Sequence, residues 1–449
     1  MNTNVIIVFF NIVIAIGNHI IFARRQTHYM KVFKFGGASV DSVTRIRNLA
    51  SILKEFKSEK LLIVISAMGK TTNALEKVAE SYYSGDKENA LGLFEQIKKQ
   101  HFQIVESLES VNKSLLVQRM GDLFTEVEWL IQDKPVRNFN YYYDQIVCVG
   151  ELLSTCIISD FLLSSGIPNR WVDVRDIFIT NDQFRAADIC WEKTGSRISD
   201  QIFPLFDETG FVVTQGFIGS TEANESTTLG REGSDYSAAI FANIMDAESL
   251  TIWKDVEGVM NADPKLFPDA IYIRELGYDE VIEMAFYGAQ VLHPKTIKPL
   301  QNKNIPLRVK CFQDQHLPGT LIHSRHISQL PPIIVMKQNQ VLIHFISRDF
   351  SFVGEKGTSR LYDILSSVHF QANLVQTGAV ILQLCVDDME DKITKLTNEA
   401  SQYFDVRLEK GLTLLTIRHY QTELLDKIIN GRKIVLQQRS QETVQTLFL

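Results

Sequence analysis

From Met30 onward the chain alternates short apolar runs with longer amphipathic stretches. Val32–Phe33 is the first run, and the paired glycines Gly36 and Gly37 follow it. Leu61–Ile65 is a continuous aliphatic run, the pattern of a strand buried on both faces. Trp171–Val174, Phe211–Thr214 and Leu250–Trp253 read as further strands. Between them the pattern predicts a helix opening near Asp41, another over Thr72–Tyr82, a polar helical region over Glu88–Ile131, and an apolar helix over Glu151–Ser164. This alternation predicts an α/β domain with a largely parallel central sheet. Ligands in such sheets bind beyond the carboxyl ends of the strands.

The register changes at Leu330-Pro331-Pro332. Beyond it the pattern predicts a strand over Gln340–Ile346, a helix over Thr358–Val368, strands over Gln371–Thr377 and Ala379–Val386, a helix over Glu390–Ala400 and a strand over Gly411–Arg418. That β-α-β-β-α-β order is ferredoxin-like. The tail, Thr422–Leu449, holds one helix and one or two strands, too little for a second full copy of the unit.

The first 29 residues stand apart. Val5–Phe22 is nearly all apolar, broken by Asn11, Gly17, Asn18 and His19, and is long enough to span a bilayer. It lacks the basic start and the small-residue cleavage site of a signal peptide. The favoured expectation is a mis-called start with translation beginning at Met30. A membrane anchor and a signal peptide are the alternatives.

Composition adds exclusions. The 449 residues are 45% hydrophobic and 22% charged, an ordinary globular mixture with room for two or three domains. A net charge of −7 suggests neither nucleic acid nor an anionic membrane as partner. The five cysteines have no CxxC spacing, so neither a zinc site nor a disulfide framework is indicated, and a reducing, cytoplasmic compartment is expected. No cluster of metal-ligating side chains is read from the sequence.

The candidate chemistry follows the strands. Lys34-Phe35-Gly36-Gly37-Ala38-Ser39 puts bare backbone N–H groups, a helix start and one lysine at a strand end. It is an anion cradle or a plain tight turn. Gly69-Lys70-Thr71 imitates the end of a P-loop, but the glycine that motif requires five positions earlier is Val64, inside a strand. Glu151 opens a helix, where an acid complements the helix dipole or accepts a ligand ammonium. In Gly230-Arg231-Glu232-Gly233-Ser234-Asp235, the Ser-Asp pair is an N-cap or a ligand-binding pair, and Arg231 at a glycine turn suits a carboxylate or phosphate clamp. Lys254, Asp255 and Lys265 follow the strand at Leu250–Trp253, as phosphate or ribose contacts or as solvated loop residues.

In order along the chain, KFGGAS, SAMGKTTN, GELLS, TTLGREGSDYSAA and WKDVEG…NADP with GAQVLHP resemble the motifs of the aspartokinases, within the amino-acid kinase superfamily. The resemblance implies a three-layer α/β/α kinase domain over residues 30–325. It also implies a regulatory region of the ACT type over residues 326–449, with its second ACT unit reduced. The implied reaction is ATP-dependent phosphorylation of the β-carboxylate of L-aspartate, with Mg²⁺, at the head of lysine, threonine and methionine biosynthesis. Lys34 would neutralise the transferring phosphoryl group, which Gly36, Gly37 and Ser39 would cradle. Thr72, Glu151, Arg231 and Ser234 would bind aspartate, with Glu151 taking its α-ammonium. Asp235 would organise Lys34 and the nucleotide. Lys254, Asp255, Lys265, Gln290 and Val291 would line the nucleotide. Phe350, Gly357, Thr358 and Asn373 are the effector candidates, with lysine or threonine as effector. A homodimer or higher homo-oligomer through the ACT region is expected.

Four positions depart from the usual motifs: Ala38 for Thr, Glu232 for Gly, Met260 for Tyr and Gln290 for Lys. They leave Lys34, Glu151, Arg231 and Asp235 in place, so an active kinase with altered ATP affinity is expected. The alternatives are another kinase of the superfamily and a non-catalytic amino-acid sensor.

Overall fold

The computed structural model describes residues 30–110, 112–289, 292–348 and 354–449. The apolar leader, with its three readings, lies outside them. The chain divides into two compact units. The first runs up to Val256 and adds Lys295–Pro318; the second comprises Glu257–Pro294 and Gly319–Leu449.

The first unit is built on six parallel strands: β1 (Met30–Phe35), β2 (Lys60–Ile65), β3 (Asn169–Trp171), β4 (Phe211–Gln215), β7 (Ser249–Lys254) and β8 (Leu307–Cys311), in the order β8-β7-β1-β2-β4-β3. A short antiparallel hairpin, β5 (Ile218–Ser220) with β6 (Ser226–Thr228), follows β4. Leu61–Ile65 is fully buried, as its unbroken apolar run requires of a strand covered by helices on both faces. Phe35 on β1 stacks on Trp253 of β7, ring centroids 5.9 Å apart, and meets Phe312 edge-on at 6.0 Å. This aromatic core pins the two central strands together.

The helices of this unit that matter to the site are α1 (Val43–Lys54), α2 (Thr71–Tyr83), α3 (Lys87–Ser107), α4 (Lys113–Gln132), α5 (Phe139–Val147), α6 (Val149–Ser164) and α7 (Gly233–Ile244). The polar helical region expected over Glu88–Ile131 is two helices, α3 and α4, each capped by an Asx side chain, Asp86 and Asn112. The stretch Phe139–Ser164 is apolar and long enough to cross a membrane, yet it is almost wholly buried, as core helices are. The chain leaves β1 towards β2 and leaves β7 towards β8, in opposite directions along the sheet. The crevice between β1 and β7 is therefore the topological switch point.

The second unit carries a six-stranded antiparallel sheet: β9 (Ile333–Ser347), β10 (Leu374–Thr377), β11 (Ile381–Asp387), β12 (Phe404–Arg418), β13 (Ile434–Arg439) and β14 (Thr443–Phe448), in the order β10-β11-β9-β12-β14-β13. With α9 (Gly354–Ser367) and α10 (Glu390–Ala400), strands β9 to β12 have the predicted β-α-β-β-α-β order. Alternate residues of β9 serve two cores. Val341, Ile343 and Phe345 pack with Leu361, Leu384 and Leu396, while Leu342 packs with Leu374, Cys385 and Leu414. The tail adds α11 (Thr422–Ile429), β13 and β14, the helix and strands expected there.

The compact units do not follow a single boundary at 325/326. Glu257–Pro294 joins the second unit because its polar groups are satisfied there. Asn261 accepts the Ile334 N–H at 2.7 Å through its carbonyl and donates Nδ2 to the Pro332 carbonyl at 2.8 Å, and Ala262 enters an apolar core with Ile334, Leu415 and Val444. Helix α8 (Tyr278–Tyr287) is held by Arg418 of β12, which pairs with Glu280 at 2.7 Å.

Candidate functional site

The site is a cavity of about 470 Å³ in the first unit, where the chain leaves β1, β2 and β4 and where α6 and α7 begin. Of the residues predicted from sequence, it brings together Lys34, Gly37, Thr72, Glu151, Arg231, Ser234 and Asp235.

Lys34 is one residue from the end of β1, and its Nζ lies 2.6 Å from Asp235 Oδ1 in the first turn of α7. Burial alone would raise the Asp235 pKa; the ammonium of Lys34, followed by that of Lys254 at 3.9 Å, overrides it and holds Asp235 below the usual carboxylate range. The Lys34 ammonium folds back over the glycines, 3.5 Å from where a Cβ of Gly36 would stand. Gly37 is required by a close approach: a Cβ there would meet the Ala67 carbonyl oxygen at 2.5 Å. The turn is tied from the other side by Gly69, whose N–H donates to the Gly37 carbonyl at 3.0 Å. The false P-loop is thus a structural strut of the cradle.

Glu151 lies in the first turn of α6 and is 2% exposed. Its Oε1 accepts the Ala67 N–H at 3.4 Å, a long bond. Its Oε2 is sealed from solvent and meets no donor among the described residues. Burial pushes the Glu151 pKa up to about 8, against the smaller opposing effect of backbone N–H groups. A buried carboxyl with a free oxygen facing a cavity is a receptor for a cationic ligand group. Arg231, in contrast, is exposed on the cavity rim, and Ser234 is buried at the start of α7.

Tyr143 and Arg185 also line the cavity and belong to no motif, and Phe217 and Thr228 line it too, Thr228 from the TTLGREGSDYSAA run. Behind them stands Asp144, fully buried on α5. It accepts the backbone N–H groups of Arg185 and Thr228, both at 2.9 Å, and the Thr228 hydroxyl at 2.8 Å. Burial raises the Asp144 pKa to about 6 despite these bonds. Arg185 has φ 69° and lays its guanidinium over the Tyr143 ring, 4.2 Å from the centroid. No local motif announces this bracket. Its parts come from α5, a loop and β6, and only the fold assembles them.

Other predicted residues lie elsewhere. Gly36 and Ser39 are not among the residues lining the cavity; Ser39 is buried, and its N–H closes a 3₁₀ turn on the Gly36 carbonyl at 2.9 Å. Lys254 is half-buried beside Asp235, and Asp255 is exposed. Lys265 belongs to the second unit and is exposed. Gln290, Val291 and Phe350 fall outside the described residues. Gly357 and Thr358 sit half-buried in α9. Asn373 is fully engaged: Nδ2 donates to Gln340 at 2.7 Å and Asp387 at 2.9 Å, and Oδ1 accepts from Lys337 at 2.8 Å. An effector would have to displace one of these bonds to use its amide. Among the described residues no group of three or more His, Cys, Asp or Glu could hold a metal ion by itself.

Comparison with known proteins agrees with this geometry. The amino acid kinase family model matches residues 30–311. Lysine-sensitive aspartokinase 3 of Escherichia coli (strain K12) is 31% identical over 397 residues, 86% of each protein. Chloroplastic aspartokinase 1 of Arabidopsis thaliana is 30% identical over 405 residues, 86% of this chain and 70% of that protein. The crystal structure of E. coli aspartokinase III with aspartate and ADP superposes with a TM-score of 0.79 at 27% identity, covering 93% of this chain and 96% of that one. The structure of the same enzyme with lysine and aspartate gives a TM-score of 0.77 at 28% identity, with the same coverage.

Proposed function

The chain belongs to the amino acid kinase family, among its aspartokinases, and on that premise we propose that it transfers the γ-phosphoryl group of ATP to the β-carboxylate of L-aspartate, giving 4-phospho-L-aspartate. The observation that carries this reading is the Glu151 carboxyl: buried, with an unpartnered oxygen, in the same cavity as the Lys34–Asp235 pair. An amino acid with a free α-ammonium meets that requirement, and an N-blocked or nucleotide acceptor does not.

The division of labour follows from the chemistry. A β-carboxylate has a reference pKa of about 3.9, so it is ionised near neutrality and needs no general base. The barrier lies in bringing an anionic nucleophile to a triphosphate, which calls for positioning and charge neutralisation. Glu151 takes the α-ammonium. Arg231 forms a bidentate pair with a substrate carboxylate, and its exposed rim position suits capture of an incoming anion. Thr72 and Ser234 add hydrogen bonds. The N–H groups around Gly36 and Gly37, and the Lys34 ammonium above them, receive the phosphoryl group. Asp235 holds Lys34 in place, and Lys254 adds positive charge beside it.

ATP binding accords with the ADP complex of the E. coli relative. Mg²⁺ would enter with the nucleotide and supply charge neutralisation on the phosphates. The functional domains are proposed as a kinase domain over 30–325 and a regulatory region over 326–449. Asp255, Lys265, Gln290 and Val291 remain proposed nucleotide contacts, and Phe350, Gly357, Thr358 and Asn373 proposed effector contacts. Lysine is the first effector to test, since the E. coli relative was crystallised with it. The sheet of the second unit ends in the strands β10 and β13, which gives the proposed homodimer a surface for pairing. The cytoplasm is the proposed compartment, in keeping with five unpaired cysteines.

The deciding experiment incubates the protein with ATP, Mg²⁺ and an amino acid, and traps the acyl phosphate with hydroxylamine. Hydroxamate with aspartate is the expected result. Product with glutamate alone would transfer the reading to another kinase of the family, and product with neither would favour a sensor. Added lysine is expected to suppress turnover.

A further inference from the structure

Glu232 lines the cavity but has no part in the roles above. It is the residue before α7, with φ 54° and ψ 27°, in the left-handed region where a glycine would sit without strain. Strain of this kind persists only where the surroundings hold it, and it collects at ligand sites. The side chain repeats the signal. Its Oε2 is sealed from solvent and meets no donor among the described residues. A carboxylate oxygen withdrawn from water without a partner is destabilising unless something positive arrives.

The three carboxyl groups of the cavity are held differently. Asp235 is tied to Lys34 at 2.6 Å, with Lys254 at 3.9 Å. Glu151 receives the Ala67 N–H and lies in the first turn of α6. Glu232 has no ion pair among the described residues and lines the same cavity as Lys34 and Asp235. A bare carboxylate repels a triphosphate, but it attracts the cation that accompanies one. Mg²⁺ is characteristically held by one or two carboxylates together with substrate phosphates and waters, not by an all-protein cage. A single free carboxylate in the cavity, with no preformed cluster of ligating side chains among the described residues, fits that pattern.

We propose that Glu232 ligates the divalent cation that the nucleotide carries into the cavity. This inference rests on the ATP-dependent reading above and goes beyond it by assigning the cation a protein ligand. Glu232 thereby makes nucleotide binding more dependent on the metal than the cradle alone would.

The test uses the full chain with ADP as ligand, titrated once with Mn²⁺ and once with a chelator, and with bound Mn²⁺ read by electron paramagnetic resonance. In the parent protein Mn²⁺ strengthens ADP binding. Glu232→Gln is expected to reduce that strengthening about tenfold, with metal-free ADP binding as tight as before or tighter, and with aspartate binding unchanged. Glu232→Gly accepts the left-handed backbone, so it is expected to keep or raise Tm while losing the same metal-linked gain. Two correctly folded variants that retain the full parental gain from Mn²⁺ would overturn the inference. So would a fall in aspartate affinity in Glu232→Gln, which would assign the carboxylate to the amino acid instead. A parent that binds no ADP with Mn²⁺ would sink the ATP-dependent reading, and this inference with it.

Discussion

Lys34 Nζ and Asp235 Oδ1 are 2.6 Å apart, with side chains only 11% and 6% exposed, so the end of a central strand and the first turn of α7 are joined by a buried charge pair. Each partner depends on the other to justify its burial. Removing Asp235 leaves Lys34 buried without that partner, which typically costs about 3–5 kcal/mol, whereas removing Lys34 leaves Asp235 with Lys254 at 3.9 Å and should cost less. Lys34→Ala is therefore expected to lower kcat by orders of magnitude and to destabilise the fold as well. The double variant Lys34→Ala/Asp235→Ala should be less destabilised than the sum of the singles. Urea unfolding of all four proteins measures this, and strict additivity would show that the pair is not coupled.

Glu151 predicts a pH signature. Its carboxyl titrates near 4.5 when unfolded and at about 8 when buried. Between those values the folded chain holds a proton that the unfolded chain has lost, so stability falls as pH rises from about 4.5 to about 8. Glu151→Gln should flatten this limb of the stability profile. Binding of an α-ammonium should restore the carboxylate, so aspartate binding near pH 7 is expected to release about one proton. Calorimetry in buffers of different ionisation heat reads that number directly; binding heats that ignore the buffer would exclude a proton on Glu151.

Asp144 predicts a structural effect that extends into the cavity. It satisfies two backbone N–H groups and one hydroxyl, and two of those donors belong to Thr228 and one to Arg185, both on the cavity wall. Asp144→Ala strands all three donors, each worth about 1–3 kcal/mol when buried and unpaired. A loss of about 2–5 kcal/mol is expected, together with weaker aspartate binding. Asp144→Asn keeps an acceptor and should lose less. A urea midpoint for Asp144→Ala within error of the parent would refute the bracket.

Lys34, Glu151 and Asp235 were legible in the sequence because each sits at a strand end or a helix start, where local pattern marks the backbone and charge stands out against it. Arg185 and Asp144 were not. One lies in a loop and the other inside an apolar helix, and they meet where the Arg185 N–H donates to the Asp144 carboxylate across 41 positions. The sequence pattern starts β9 at Gln340, yet the strand begins at Ile333, because the polar run Lys337-Gln338-Asn339 imitates a turn. In the structure the ladder to β12 passes this run with a register shift between Lys337 and Gln340. Lys337 and Gln340 then bind Asn373, which explains why an amide that stands out in the sequence is already occupied. The assignment of Glu257–Pro294 to the second unit was equally hidden, since it depends on contacts with residues beyond Gly319.

The principal ionic contact of that assignment is Arg418. It grips both oxygens of Glu280 on α8, at 2.7 and 2.8 Å, reaches Glu283 at 3.2 Å, and has His419 beside it at 3.0 Å from Glu280. Burial would raise the Glu280 pKa; the bonds from Arg418 and then His419 prevail and lower it. The contribution of this carboxylate is therefore present above its unfolded pKa near 4.5 and is lost as pH falls through the lower folded value. Arg418→Ala should destabilise the second unit by about 3–5 kcal/mol, leaving Glu280 buried without its fork-shaped partner. Glu280→Gln should make the acid limb of the stability curve shallower below about pH 4.5. Hydrogen exchange supplies the local readout, because α8 should lose protection in Arg418→Ala while the strands β1 and β2 keep theirs. Unchanged exchange across Tyr278–Tyr287 would mean that apolar packing alone holds α8 to the sheet. Loss of protection there would instead identify Arg418 as the residue through which the antiparallel sheet holds the segment that carries Lys265.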